Sequence, residues 1–300
     1  MFKLRSPSLV SVIALLAAVQ ANVQAQDINT LEKIKQSGAI TIGARDMSVP
    51  FSYKVNGNAE PIGMINEICL KVADAAKKAA GLQSLEVKYL ITTPISRMPL
   101  VQNGTVDLDC TPVTNTIARQ EQVSFSPSYF SANVTLAVRK DSQVKSIADL
   151  QNKNVVTVTG TTSIQLLRAY KKSQGVKFNE VYGKDPSEAF VMFESGKADA
   201  FVLDDVQLAS FIATSSQRDQ YLILNEPLRT EPYGVMLRKG DPTFKKLVDD
   251  TVYAMIKSGE MESLYQKWFM SVIPPKGINI NFPLSESTKE LYAHPNDKGI

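Results

Sequence analysis

The sequence predicts an α/β protein of two lobes, each a mostly parallel sheet flanked by helices, with the second lobe inserted into the first. Three observations carry that prediction. Strand-like and helix-like runs alternate along most of the chain with short connections, the pattern of parallel sheets covered by helices. One phrase is written twice, VQNGTVDLDC at 101–110 and FESGKADAFV at 193–202: a helical run stopped by a glycine, an Asp three residues on, then an apolar run. Repetition at matched spacing suggests two related units. Finally, two strand-like segments ending in Arg-Lys, at 134–140 and 233–239, bracket the second unit. An inserted domain needs two crossings, one out and one back, and these segments are the expected two-strand hinge.

In order along the chain, residues 1–25 read as a secretory signal peptide. Lys3 and Arg5 make a basic start, 9–19 is apolar, and Val23-Gln-Ala25 fits a small-x-small cleavage site. The apolar run is too short for the rival reading, a retained membrane anchor. The mature chain then starts near Gln26 and runs for about 275 residues, enough for two ordinary domains. Strands are expected at 39–43, 85–91 and 106–109, with helices at 62–80 and 97–102. The pattern restarts with a strand at 154–158, helices at 163–172 and 188–194, and a strand at 198–203. Helices at 243–257, 261–269 and 284–293 return to the first lobe, interrupted by Pro274-Pro275. The expected organisation is a signal peptide at 1–25, first lobe at 26–131, inserted lobe at 132–233, and the rest of the first lobe with a polar tail at 234–300.

Composition excludes several function classes. Removing Lys3 and Arg5 with the leader takes the net charge from +3 to +1, and no basic stripe interleaved with aromatics appears, so a nucleic-acid partner is not expected. The only histidine, His294, lies near the C-terminus, which argues against His-rich metal sites and His-based nucleophilic triads; neither metal nor cofactor is expected. Cys69 and Cys110, in an exported chain, are read as one disulfide; the alternative is two small buried thiols. A disulfide would close a loop of about forty residues and contribute on the order of 3–4 kcal/mol by chain entropy.

Candidate ligand groups sit where strands end and helices begin, because free backbone N–H groups and the helix dipole point outward there. After the strand at 106–109, Thr114 offers a hydroxyl and Arg119 a guanidinium, a pair suited to a carboxylate. After 154–158, Gly160 permits a tight turn and Thr161 and Thr162 open a helix, without the GxGxxG or Gly-Lys pattern of a phosphate loop. At the end of 198–203, Asp204 can pair with an ammonium group while Asp205 caps the next helix. Cations and hydroxyls on one side and a carboxylate on the other suit a zwitterionic α-amino acid. Arg45 and Arg97, also near strand exits, imply more negative charge on the ligand than one carboxylate.

The stretches GARDMSVPFSY, RMPLVQNGTVDLDC, TNTIARQEQVSFSPSYF, VTGTTS, FESGKADAFVLDD, YGVMLRK and IPPKGININ resemble the periplasmic solute-binding proteins of polar amino-acid ABC transporters, and most closely their glutamate/aspartate branch. The resemblance runs from about residue 31 to about residue 282. It implies the type II periplasmic-binding-protein fold, a monomer that closes like a hinge, and a membrane permease of an ABC importer as partner. It also implies roles: Arg119 clamps the ligand α-carboxylate with help from Thr114, Thr161 and Thr162, and Asp204 and the Pro112 carbonyl take the α-ammonium. Arg45 and Arg97 receive the side-chain carboxylate of an acidic amino acid. Three positions depart from the branch pattern: Pro94 and Pro112 stand where Ser is frequent, and Pro186 where His is frequent. Proline supplies no side-chain donor, so a different dicarboxylate or an amide-bearing amino acid stays open as ligand. A second alternative is a periplasmic enzyme on the same fold, a cyclohexadienyl or arogenate dehydratase. For that reading Glu188, Glu231 and Asp205 are the acid/base candidates.

Overall fold

The computed structural model describes residues 29–275 and 277–300. The leader at 1–25 and its cleavage site lie outside the described residues. The first lobe opens with α1 (Thr30–Ser37), β1 (Ala39–Ala44), the short pair β2 (Met47–Ser48) and β3 (Ser52–Tyr53), α2 (Met64–Ala79), β4 (Glu86–Ile91), α3 (Arg97–Gln102), β5 (Leu108–Asp109), α4 (Ile117–Gln120) and β6 (Val123–Phe125). The chain crosses on β7 (Phe130–Arg139) and builds the second lobe from β8 (Asn154–Val158), α5 (Thr162–Gln174), β9 (Asn179–Gly183), α6 (Pro186–Glu194), β10 (Ala200–Asp204), α7 (Asp205–Thr214) and β11 (Tyr221–Ile223). It returns on β12 (Arg229–Tyr233) and completes the first lobe with β13 (Met236–Arg238), α8 (Pro242–Lys257), α9 (Glu260–Phe269) and α10 (Glu286–Ala293).

Two sheets confirm the two-lobed α/β architecture. The first has strand order β4-β1-β5-β13-β6; the second runs β11-β7-β10-β8-β9, with β12 also on β7. In each, the strand that joins the lobes, β13 or β7, runs against all the others. Those strands are antiparallel because they arrive from the other lobe rather than through a helical crossover.

Of the two Arg-Lys segments, the first lies beyond its crossing, whereas the second contains the return at Tyr233 to Val235. Residues 134–139 belong to the second sheet and pair with β10 along their length. The crossing is upstream, where the amide of Ser126 donates to the carbonyl of Val235 and that of Tyr129 to Tyr233, both at 2.9 Å. The return is two strands broken at Gly234, where an added Cβ would lie 3.0 Å from the carbonyl oxygen of Ser126. Core membership explains the position. Tyr129, Phe130 and Ala132 pack in the first lobe's core, and Val134, Leu136 and Val138 in the second's. Phe130 stacks on Tyr233 (5.6 Å between ring centroids) and Phe269 (5.4 Å) and meets Phe51 edge-on (5.1 Å), so both crossing strands are anchored in one aromatic cluster of the first lobe.

Cys69 of α2 and Cys110 after β5 form a disulfide with Cα atoms 6.3 Å apart. It fixes α2 to the strand exit from which the loop bearing Thr114 departs. Among the described residues no helix is long and apolar enough to cross a membrane.

Candidate functional site

The repeated phrase does the same job in both lobes. Gly104 and Gly196 end α3 and α6 with φ of +76° and +77°, a left-handed turn that glycine adopts without Cβ strain. The following Asp then pairs with a neighbouring parallel strand: Asp107 Oδ2 accepts from the amide of Thr41 at 2.9 Å, and Asp199 Oδ2 from that of Asn154 at 2.8 Å. In both cases the amide of the Asp donates back to the same partner's carbonyl. This reciprocal pair sets where β5 and β10 start, and therefore where their far ends emerge.

Those ends meet. Arg45, Arg97, Pro112, Thr114, Arg119, Thr161, Thr162 and Asp204 line one cleft between the lobes, together with Ser48, Pro94, Pro186, Leu203 and Gln207. From the first lobe, Arg45 follows β1 and donates to the carbonyl of Thr92 at 2.5 Å. Arg97 opens α3 and donates to the Pro112 carbonyl at 3.1 Å and to Thr111 Oγ1 at 3.4 Å. Arg119, on the short α4 capped by Thr116, donates to the carbonyl of Thr114 at 2.7 Å and reaches across to that of Gly160 at 3.3 Å.

From the second lobe, α5 starts at the cleft without a side-chain cap on its N-terminus. Pro186 takes the first position of α6, where a missing N–H costs nothing, behind the Asp185 cap. Asp204 is 7% exposed; its Oδ2 accepts from the Tyr233 hydroxyl at 2.5 Å and Gln207 Nε2 at 2.8 Å, and its Oδ1 has no partner among the described residues. Gly160 closes the gap between the lobes: an added Cβ would meet the backbone of Pro94 and Ile95 at 3.0–3.1 Å.

The hydroxyls are already committed. Thr114 and Thr162 each donate to Oε2 of Glu231 at 2.6 Å, and Thr161 donates to the carbonyl of Val158 at 2.7 Å. An ionised carboxylate and a carbonyl only accept, so these hydroxyls present lone pairs rather than protons to the cleft.

Charge is unbalanced toward positive. Burial and the neighbouring Arg97 push Arg45 down to about 10 and Arg119 down to about 9; burial also lowers Arg97, with Asp109 opposing. Asp109 is fully buried behind the arginines and accepts from Thr92 Oγ1 at 3.0 Å and Thr111 Oγ1 at 2.5 Å. Asp204 moves the other way, pushed up to about 7 by burial and then by the charge of Glu231. Burial leads both shifts, so a ligand charge brought to this cleft meets charged groups already stripped of water.

The cleft brings together the eight candidates expected from the sequence and adds Ser48 and Gln207 to its lining. The crossing-strand residues Tyr233 and Glu231, the latter expected only as an acid/base candidate, hold Asp204, Thr114 and Thr162 from behind. Gln207 follows Asp204 by one helical turn, a spacing that could have flagged it. None of the acid/base candidates lines the cleft. Glu188 accepts from the amide of Lys184, Asp205 from Asn133 and Val206, and both oxygens of Glu231 are occupied.

Residues 40–271 match the bacterial extracellular solute-binding proteins, family 3. The chain belongs to that family. The L-glutamate/L-aspartate-binding protein of Pseudomonas aeruginosa is 44% identical over 98% of this chain and 97% of its own length. The glutamate/aspartate import solute-binding protein of Escherichia coli is 39% identical over 99% of each chain. Among solved structures, a mutant of the arginine-binding protein of T. maritima superposes with a TM-score of 0.70 at 28% identity, covering 80% of this chain and 99% of that one. An ancestral amino acid-binding protein described as a precursor of cyclohexadienyl dehydratase gives a TM-score of 0.68 at 29% identity over 80% of this chain and 99% of that one. The curated relatives are solute-binding proteins, in agreement with a non-enzymatic family 3 protein.

Proposed function

We propose that this family 3 protein captures an acidic L-amino acid, glutamate or aspartate, in the interlobe cleft and delivers it, as a periplasmic monomer, to the permease of an ABC importer. The observation that carries the reading is the charge balance at the cleft. Among the charges that line the cleft and the buried Asp109 behind them, Arg45, Arg97 and Arg119 stand against Asp109 and Asp204, while Glu231 is paired with Arg229 at 2.6 Å, which leaves one positive charge; Asp46 and Asp185 act on Arg45 from outside this lining. A dicarboxylic amino acid at neutral pH brings one net negative charge and closes that balance. A neutral amide such as glutamine leaves an uncompensated buried guanidinium, a state that costs several kcal/mol.

Within this reading Arg119 and the free amides at the start of α5 hold the α-carboxylate. The ammonium meets acceptors only: Asp204 Oδ1, the Pro112 carbonyl and the lone pairs of Thr114. Arg45 and Arg97 take the side-chain carboxylate without side-chain donors from positions 94 and 186, where prolines stand. Each lobe supplies part of the partner set, so ligand favours closure. Support for the acidic class also comes from the two curated relatives named as glutamate/aspartate binders.

The test is a thermal-shift screen of the mature protein, refolded to strip carried solute, against amino acids and small dicarboxylates. A ligand at one hundred times its Kd stabilises by about 2.7 kcal/mol, a readable shift. Glutamate or aspartate giving the largest shift supports the proposal. A larger shift from glutamine or a non-amino dicarboxylate refutes the ligand assignment, and turnover of prephenate or arogenate refutes the binding reading.

A further inference from the structure

Glu231 is fully buried on β12, the returning crossing strand, and its two oxygens are divided by direction. Oε1 faces Arg229, accepting from Nη2 at 2.6 Å and Nε at 3.0 Å. Oε2 collects Thr114 Oγ1 and Thr162 Oγ1, each at 2.6 Å. Thr114 belongs to the first lobe and is held to the crossing strands by a bridge to Tyr233; Thr162 opens α5 in the second lobe. We propose that Glu231 is the interlobe latch: one carboxylate oxygen on a crossing strand gathers a hydroxyl from each lobe, so the set is complete only when the lobes are closed.

The argument is geometric. When the lobes separate, Glu231 travels with one of them or stays between them, and in every case at least one bond breaks. Each is a short hydrogen bond to a charged acceptor away from water, the stronger class. Oε2 accepts from two of the hydroxyls that line the cleft, so it also fixes those two protons away from the solute. The latch thereby serves closure and presents acceptors to the ligand ammonium. Glu231 is a positioning residue, acting through Thr114 and Thr162. The inference rests on the cleft being the solute site, but not on which amino acid occupies it.

Glu231→Gln and Thr162→Val separate the latch from mere packing. A Gln amide must turn its NH2 either to Arg229 or to the hydroxyls, so one side loses its acceptor. Stopped-flow binding is read with whichever of L-glutamate, L-aspartate and L-glutamine gives wild type its largest thermal shift. For each single variant the dissociation rate is expected to rise about tenfold or more, with association changed little. The double variant is expected to lose no more than Glu231→Gln alone, since the same bond is removed twice. Losses that add in the double variant, or an unchanged dissociation rate in either single variant, overturn the latch. If Glu231→Gln does not fold, Thr162→Val decides on its own rate. A preference of wild type for glutamine refutes the acidic assignment and leaves the latch test intact.

Discussion

Tyr233 donates its hydroxyl to Oδ2 of Asp204 at 2.5 Å, joining the returning crossing strand to the end of β10. With Gln207 on the same oxygen, this leaves Oδ1 as the one free acceptor of a buried carboxyl. The hinge therefore orients the group that the ligand ammonium needs, and binding becomes linked to pH.

Asp204 is pushed up to about 7 by burial and by the charge of Glu231, with Asp205 adding and Tyr233 and Gln207 opposing. An ammonium ligand requires the ionised form, and its charge then holds the carboxylate ionised. Binding below that pH releases a proton, so affinity falls as pH falls and is constant above it. Calorimetry with L-glutamate between about pH 8 and about pH 5.5 should show Kd rising toward about tenfold per unit at the acid end. Asp204→Asn should bind weakly at every pH with the slope removed. A flat wild-type profile would take Asp204 out of the ammonium site.

The arginines divide by role. Arg119→Ala leaves the α-carboxylate without its guanidinium and should weaken any amino acid ligand by roughly 3–5 kcal/mol. Arg97→Met, by contrast, removes the surplus positive charge. Its glutamate affinity should fall about a hundredfold while its glutamate-to-glutamine ratio collapses. Competition assays with both amino acids check this, and an unchanged ratio would exclude Arg97 from the side-chain subsite.

Gly160 predicts a closure defect without an unfolding defect. It sits at φ +83°, and a Cβ there meets Pro94 across the lobe boundary. Gly160→Ala should cost the free protein only about 1 kcal/mol from the backbone, yet weaken ligand binding by about tenfold or more. Denaturant melts with and without L-glutamate separate the two effects.

Cys69–Cys110 spans 41 residues, both cysteines fully buried. The Cys69→Ser, Cys110→Ser pair should lower the unfolding free energy by about 3–4 kcal/mol. Because the bridge ends beside the exit toward Pro112 and Thr114, a smaller loss of affinity should accompany it, measurable in the same melts.

What the sequence made legible follows from where the signals are local. Arg45, Thr114, Arg119, Thr161, Thr162 and Asp204 follow a strand or open a helix, and glycine stops, caps and apolar runs mark such places within a few residues. Glu231 carries no such mark. Its role depends on the register of β12 against β7, which places Arg229 opposite Val134 and Glu231 opposite Ala132. The outgoing crossing escapes the sequence for a related reason: 134–139 reads as a strand and is one, but which core Phe130, Ala132 and Val134 join is decided by packing between distant segments. The polar C-terminal tail is another such case. The Ile300 carbonyl accepts from the amide of Ile117, and the Asp297 carbonyl from the side chains of Asn115 and Gln120, around the turn that carries Arg119.

The central claim is that one surplus positive charge at the cleft selects an acidic amino acid. Calorimetric titration of the refolded protein with L-glutamate and then L-glutamine, isosteres differing by that charge, tests it most directly. The account predicts that glutamate binds at least about a hundredfold more tightly. Equal affinities, or tighter glutamine binding, would contradict it.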